Sequence, residues 1–198
     1  MKKLMMMGIF CLFLIVGCKK DSDNPIVPTS SNGLFHFKIG DQATVVIKEY
    51  SIKNGVDSLI NQSEYTYTIL RDTVFDSFTW YSYSVHVATW ITNKNDGVWQ
   101  ADRQQNGSLS TFMLYKYPCA KGDTFNSLGG NVLVVTTDTT ISVSAGTFKC
   151  IQYREIDQYS YEDIYISEGL GIVKIFGLAY EYNHQSKMIQ ELKSYSLK

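Results

Sequence analysis

From Leu34 to the C-terminus the chain is a succession of β-branched and aromatic runs, broken every ten residues or so by Gly, Asn and Asp clusters. That pattern constrains the fold more than any other feature. Runs rich in Thr, Val, Ile, Tyr, Phe and Trp suit a pleated, half-buried surface. Strands are expected at 34–39, 43–53, 63–72, 78–92, 97–104, 109–116, 131–138, 140–145, 147–157, 160–167, 171–182 and 187–196. The turn signals between them include Gly40-Asp41, Asn54-Gly55, Asn95-Asp96-Gly97, Asn106-Gly107, Gly129-Gly130-Asn131 and Asn183-His184. No window carries a 3.6-residue apolar period. The nearest, from Ser186 to Lys198, alternates Met188, Gln190 and Leu192 with Ile189, Glu191 and Lys193, which is a strand pattern. A dozen strands with hairpin-length connections must bend or close to protect their edges. The expected fold is all-β: one domain, a meander forming a strongly curved antiparallel sheet or a partly open barrel, with a concave face to fill.

The N-terminus is different in kind. Lys2 and Lys3 precede an apolar run of 13 residues, Leu4 to Val16, too short for a membrane-spanning helix of about 20 residues but of signal-peptide length. Gly17-Cys18 after Leu14-Ile15-Val16 resembles the lipobox of bacterial lipoproteins. This implies a signal peptide at 1–17, an acylated Cys18, and attachment to a membrane through lipid. Residues 18–33, with Pro25 and Pro28 among Ser, Asp and Asn, read as a flexible tether, and 34–198 as the β-rich domain. The start of the tether, Lys19-Lys20-Asp21-Ser22-Asp23, resembles export signals of Gram-negative outer-membrane lipoproteins, so the expected location is the cell envelope, at the outer membrane. The chain from Cys18 onward has 16 basic and 19 acidic residues, a net charge of −3 with no basic cluster. Nucleic acid is therefore excluded as an expected partner.

Of four cysteines, Cys11 falls in the signal and Cys18 takes lipid, leaving Cys119 and Cys150. They either form a disulfide, worth about 3–4 kcal/mol for a loop of roughly 30 residues, or sit as separate buried hydrophobes.

A short internal echo links Phe37-Lys38-Ile39-Gly40-Asp41 with Tyr117-Pro118-Cys119-Ala120-Lys121-Gly122-Asp123: an aromatic a few residues before a Gly-Asp turn. The stretches Ser144-Ala145-Gly146-Thr147-Phe148, Gly169-Leu170-Gly171-Ile172-Val173-Lys174 and Leu192-Lys193-Ser194-Tyr195 resemble, in order, the "PAGTF", "GxGLVK" and "L-x-S-Y" motifs of a group of uncharacterised bacterial envelope lipoproteins. The chain departs from that group at Ser144, at Phe125 and after Gly40, where packing residues differ. The resemblance implies a curved antiparallel sheet similar to the half-barrels of lipoprotein carrier proteins. It brings no catalytic residue.

Searches for chemistry give little. Ser142-Val143-Ser144-Ala145-Gly146 lacks the first glycine and the following helix of a nucleophile elbow. Gly169-Leu170-Gly171 lacks the βαβ context of a dinucleotide site. His36, His86 and His184 show no metal-ligand spacing, so neither metal nor cofactor is expected. Glu155, Asp157, Glu162 and Asp163 surround one predicted hairpin, either as solvated decoration or as a hydrolase's acid pair. Tyr65, Tyr67, Trp80, Tyr81 and Tyr83 form a candidate ligand face, against the plainer reading of cross-strand packing. The function expected is that of a non-enzymatic envelope lipoprotein binding an apolar or glycan ligand. The alternatives are an accessory subunit of a surface complex and a secreted hydrolase using the acids near 155–163.

Overall fold

The computed structural model describes residues 33–84, 89–104, 108–127, 130–181 and 184–198, with the side chains of Glu181 and His184 left aside. The signal peptide, Cys18, the tether up to residue 32 and His86 lie outside the described residues. Twelve antiparallel strands form a single sheet: β1 (Gln42–Lys53), β2 (Val56–Phe75), β3 (Phe78–Tyr83), β4 (Thr89–Lys94), β5 (Gly97–Arg103), β6 (Leu109–Lys116), β7 (Thr124–Ser127), β8 (Gly130–Val143), β9 (Gly146–Ile156), β10 (Ser160–Ser167), β11 (Gly171–Glu181) and β12 (His184–Ser196). Their order is β6-β5-β4-β3-β2-β1-β12-β11-β10-β9-β8-β7. The sheet rolls into a nearly closed barrel with one unsealed seam, between β6 and β7.

Five elements differ from the sequence expectation, among them β2, which runs from Val56 to Phe75 where a strand over 63–72 is expected. Residues 33–41 form an irregular strap rather than a strand. The run 78–92 is divided into β3 and β4. The runs 131–138 and 140–145 fuse into β8, which absorbs its irregular pattern with register shifts between Val134 and Thr136 and between Thr136 and Thr139. Finally, β7 is four residues long and carries too little apolar alternation to stand out.

The internal echo is structural. In the strap, Asp41 N–H donates to Lys38 C=O (2.9 Å) and Lys38 N–H donates to the Asp41 carboxylate (2.8 Å). In the β6–β7 connection, Asp123 N–H donates to Ala120 C=O (3.0 Å) and Ala120 N–H to the Asp123 carboxylate (3.1 Å). Both preceding glycines take positive φ, 92° at Gly40 and 91° at Gly122, which is why glycine stands there. Each turn then clamps the next hairpin in the same way. Gly40 and Asp41 bracket Ile69 of β2, and Gly122 and Asp123 bracket Val134 of β8, through paired backbone bonds. The same turn thus leads into each six-strand run of the sheet, β1–β6 and β7–β12. In the first, β1 has 12 residues and pairs along its length with β12; its counterpart β7 has four and leaves β6 without a partner on that side. The seam is the consequence of that truncation.

One end of the barrel is closed by the strap. Leu34 and Phe35 are 1% and 7% exposed and join the main core with Ile91, Val98, Val132, Val134, Ile151, Tyr153, Ile164 and Ile166. The Asn93 side chain accepts from Phe35 N–H and donates to Phe35 C=O, standing in for a neighbouring strand. Across the barrel, Gly169 N–H donates to Leu34 C=O (3.1 Å). The Phe35 ring lies so close to Gly171 that a Cβ there would approach it to 2.9 Å, at a φ of +105°. The glycines of the Gly169-Leu170-Gly171 motif are therefore seats for the strap. A second core, Val45, Phe148, Cys150, Val173 and Leu192, packs the tip of the β8–β9 hairpin against β1 and β12, where Ala145 N–H donates to Leu192 C=O.

Candidate functional site

The two cores do not fill the barrel. Between them lies a cavity of about 380 Å³, lined by Phe35 of the strap, Val45 of β1, Tyr67 of β2, Tyr83 of β3, Ile91 of β4, Tyr115 of β6, Ile172 and Ile175 of β11, and Gln190 and Leu192 of β12, among others. That volume is in the range of small-molecule sites. Register explains the lining. Val45 opposes Tyr65 and Leu192, and Ala43 opposes Tyr67 and Tyr195. A bulge at β12 residue 193 keeps Leu192 and Tyr195 on the same, inward side. A second bulge, on β11 between its pairings with Tyr165 and Ile166, turns both Ile172 and Ile175 inward.

The wall is apolar except for a few groups. The Tyr67, Tyr83 and Tyr115 hydroxyls and the Gln190 amide find no hydrogen-bond partner among the described residues. Burial raises the pKa of all three tyrosines, and at Tyr115 the carboxylates of Glu155 and Glu162 add to it. These hydroxyls therefore stay protonated as neutral donors. Gln100 is engaged, donating to both Asp102 oxygens at 3.1 Å. Phe35 and Tyr115 of the lining belong to a chain of rings. Tyr81 stacks on Phe37 (5.3 Å), Phe37 on Phe35 (5.6 Å) and Phe35 on Tyr115 (6.1 Å); Tyr115 then meets Tyr153 at 5.3 Å.

Away from the strap, the inward face changes character two residues along each strand. In one register row Glu155, Glu162, Gly177, Met188 and Glu49 succeed each other across β9, β10, β11, β12 and β1. Glu162 folds over Gly177, whose missing side chain leaves it room. Burial raises the pKa of both Glu155 and Glu162, and at Glu155 the facing Glu162 charge raises it further, with Asp157 adding a smaller push. A groove of about 460 Å³ runs over this layer, lined by Glu49, Ile60, Glu162, Gly177, Met188 and Lys187 with their neighbours.

The acids expected near 155–163 are thus divided. Glu155 and Glu162 face inward, while Asp163 points to the other face, where Arg154 grips it with two hydrogen bonds of 2.7 and 2.8 Å and lies over the Tyr161 ring. Asp157 sits in the β9–β10 turn. A single predicted cluster becomes one inward pair and one structural ion pair, because strand alternation sends Asp163 away from its neighbour Glu162.

Of the expected aromatic face, Tyr67 and Tyr83 meet edge to face at 6.3 Å on the cavity wall, whereas Tyr81 lies outside the lining and stacks on Phe37 of the strap. Tyr65 shares their side of the sheet but is 45% exposed. Trp80 does not belong with them. It alternates with Tyr81 and Tyr83 onto the outer face, fully buried, stacked on Phe75 at 4.4 Å and donating to Phe75 C=O. There Lys94 lies over Phe78, Trp80 and Trp99, and Arg71 over Trp90, so cations already occupy the tryptophan faces a sugar would need.

Of the two arrangements open to them, Cys119 and Cys150 take that of separate free thiols. Cys119 meets the Tyr153 hydroxyl at 3.6 Å, whereas Cys150 sits three residues away on β9 and so on the opposite face. Its burial pushes the Cys150 thiol up to about 12. His36 is a strap residue, its Nδ1 2.6 Å from the Asp41 carboxylate. His184 begins β12, away from His36. The residues that sequence reasoning missed are Tyr115, Ile175, Gln190 and Phe35. They belong to four different elements; the β11 register shift puts Ile175 on the same side as Ile172, while Gln190 shares the side of Leu192 by plain alternation.

No protein-family model matches the chain, and no curated protein matches it. Two solved structures resemble it in fold. One is a candidate lipoprotein from Parabacteroides distasonis (12% identity, TM-score 0.46), covering 84% of this chain and 100% of that one. The other is a candidate exported protein with a YmcC-like fold from Bacteroides fragilis (16% identity, TM-score 0.41), covering 82% and 98%.

Proposed function

We propose that this protein is a lipid-anchored, non-enzymatic module of the bacterial envelope that holds a small apolar ligand inside its barrel. The anchoring rests on the lipobox-like Gly17-Cys18 and the tether. The binding rests on one observation: the 380 Å³ cavity whose apolar wall carries three neutral tyrosine hydroxyls and an amide without partners among the described residues. An apolar body supplies the affinity, at about 25 cal/mol per Å² removed from water, and a single polar atom of the ligand meets the hydroxyls. The strap shuts one end, so the ligand enters from the glutamate end or through the seam. The aromatic residues that support this reading are Tyr67, Tyr83 and Tyr115 inside the barrel, with Tyr65 beside them. A glycan platform would need the outer tryptophans, whose faces Lys94 and Arg71 cover.

The test is displacement of a neutral solvatochromic dye, Nile red, by 1-decanol on the mature chain carrying Cys18→Ser, so that no acyl chain competes. Saturable binding that Ala43→Phe weakens at least tenfold, with the fold intact by circular dichroism, supports the reading. Binding untouched by Ala43→Phe, or no saturable binding, overturns it.

A further inference from the structure

Resting on that reading of the cavity, we infer that the site takes uncharged apolar ligands and turns away anionic amphiphiles such as carboxylates, the discriminating element being the inward carboxylates above it, Glu49, Glu155 and Glu162. The argument is one of position. These three share one register row with Gly177 and Met188, two residues along the strands from the lining residues Ile175 and Gln190. At about 3.3 Å per residue that is roughly 7 Å, so the head of an amphiphile whose tail fills the cavity lies at their level. A fourth carboxylate, Asp102 of β5, stands two residues beyond the lining residue Gln100 and is held by its amide.

Among the described residues nothing at that level offsets the charge: the cavity lining contains no lysine or arginine, and Lys187 is the one basic residue lining the groove above. Lys187 is bonded to Asp57 and lies over the Tyr50 ring at 4.4 Å. Glu49 takes a hydrogen bond from Asn61 (3.0 Å), a neutral partner that leaves its charge in place. Arg154 is on the opposite face with Asp163. Glu162 folds over Gly177, and both line the groove. A second anion brought here meets like charges in a partly desolvated mouth, where repulsion is stronger than in water. The same layer leaves an alcohol, ester or other neutral head unopposed.

The experiment compares two ligands of one chain length, 1-decanol and decanoate, by calorimetric titration at pH 7.5 on the mature Cys18→Ser chain. Decanol is expected to bind at least tenfold more tightly than decanoate. In Glu49→Gln/Glu155→Gln/Glu162→Gln the ratio of the two affinities falls to about threefold or less, and the single variant Glu162→Gln narrows it part of the way. Equal affinities in the parent, or a ratio that survives the glutamine substitutions, overturn the inference while leaving the cavity reading in place. Binding of neither ligand overturns both.

Discussion

Replacing Phe35 by alanine probes the strap, the element that both closes the barrel and floors the cavity. The ring is 7% exposed, stacked between Phe37 and Tyr115 at 5.6 and 6.1 Å, and seated against the Gly171 backbone. Deleting a buried phenylalanine costs about 3–5 kcal/mol through lost transfer energy and the void left behind. Phe35 belongs at the upper part of that range, because the void merges with an existing cavity and its walls are held apart by the sheet. For a domain of this size each kcal/mol moves Tm by about 2–4 °C, so the melting temperature falls by on the order of 10 °C. Differential scanning calorimetry of the mature chain measures it. Val74→Ala, at a site 71% exposed, is the control and changes stability by no more than about 0.5 kcal/mol. A drop of less than 2 °C for Phe35→Ala would show that the strap is not part of the core, and the closed end of the barrel would go with it.

Gly171→Ala attacks the same contact from the other side; a positive φ and a Cβ 2.9 Å from the Phe35 ring predict a loss of about 2–4 kcal/mol, read by urea denaturation, and an unchanged midpoint would contradict the seat. Glu155 and Glu162 hold their protons more tightly in the folded state than in the unfolded chain, because burial and mutual repulsion raise their pKa. Their stabilising contribution is thus present below the unfolded pKa and is lost as pH rises through the folded one. Relative to Glu155→Gln/Glu162→Gln, the parent should lose stability as pH rises from about 4 towards neutrality, and parallel pH–stability curves would refute the pairing. For the cysteines, mass spectrometry should find two free thiols at Cys119 and Cys150 without prior reduction. Iodoacetamide at pH 8 should reach Cys150, with its thiol pushed up to about 12, only after unfolding; a mass loss of about 2 Da for a bridge would refute this.

The class and many of the strand spans of this fold were legible in the chain because strand alternation and Gly/Asn/Asp turns are local signals. The runs at 109–116 and 160–167 coincide with β6 and β10. The strap was not, because Leu34-Phe35-His36-Phe37 has the alternation of a strand but pairs through Asn93 and Gly169, two distant residues. The Gly-Asp echo was visible as two similar strings, yet its meaning depends on the partners Ile69 and Val134, which no local pattern names. The tyrosines at 65, 67, 81 and 83 share the inward face, since spacing by two fixes a side. Trp80 failed that same rule and belongs with the outer cations. Tyr115 and Ile175 remained hidden because bulges, which shift a strand's facing by one residue, leave little trace in sequence; Gln190 shares the face of Leu192 by alternation, but nothing in that alternation marks a cavity.

The central claim, that the barrel interior is a ligand site, is tested most directly by methyl-labelled NMR of the mature Cys18→Ser chain titrated with 1-decanol. Saturable shifts confined to the methyls of Val45, Ile91, Leu114, Ile172, Ile175 and Leu192, with Ile39 and Val74 unmoved, are predicted. Shifts spread over the exposed methyls instead, or none up to the solubility limit, would contradict it.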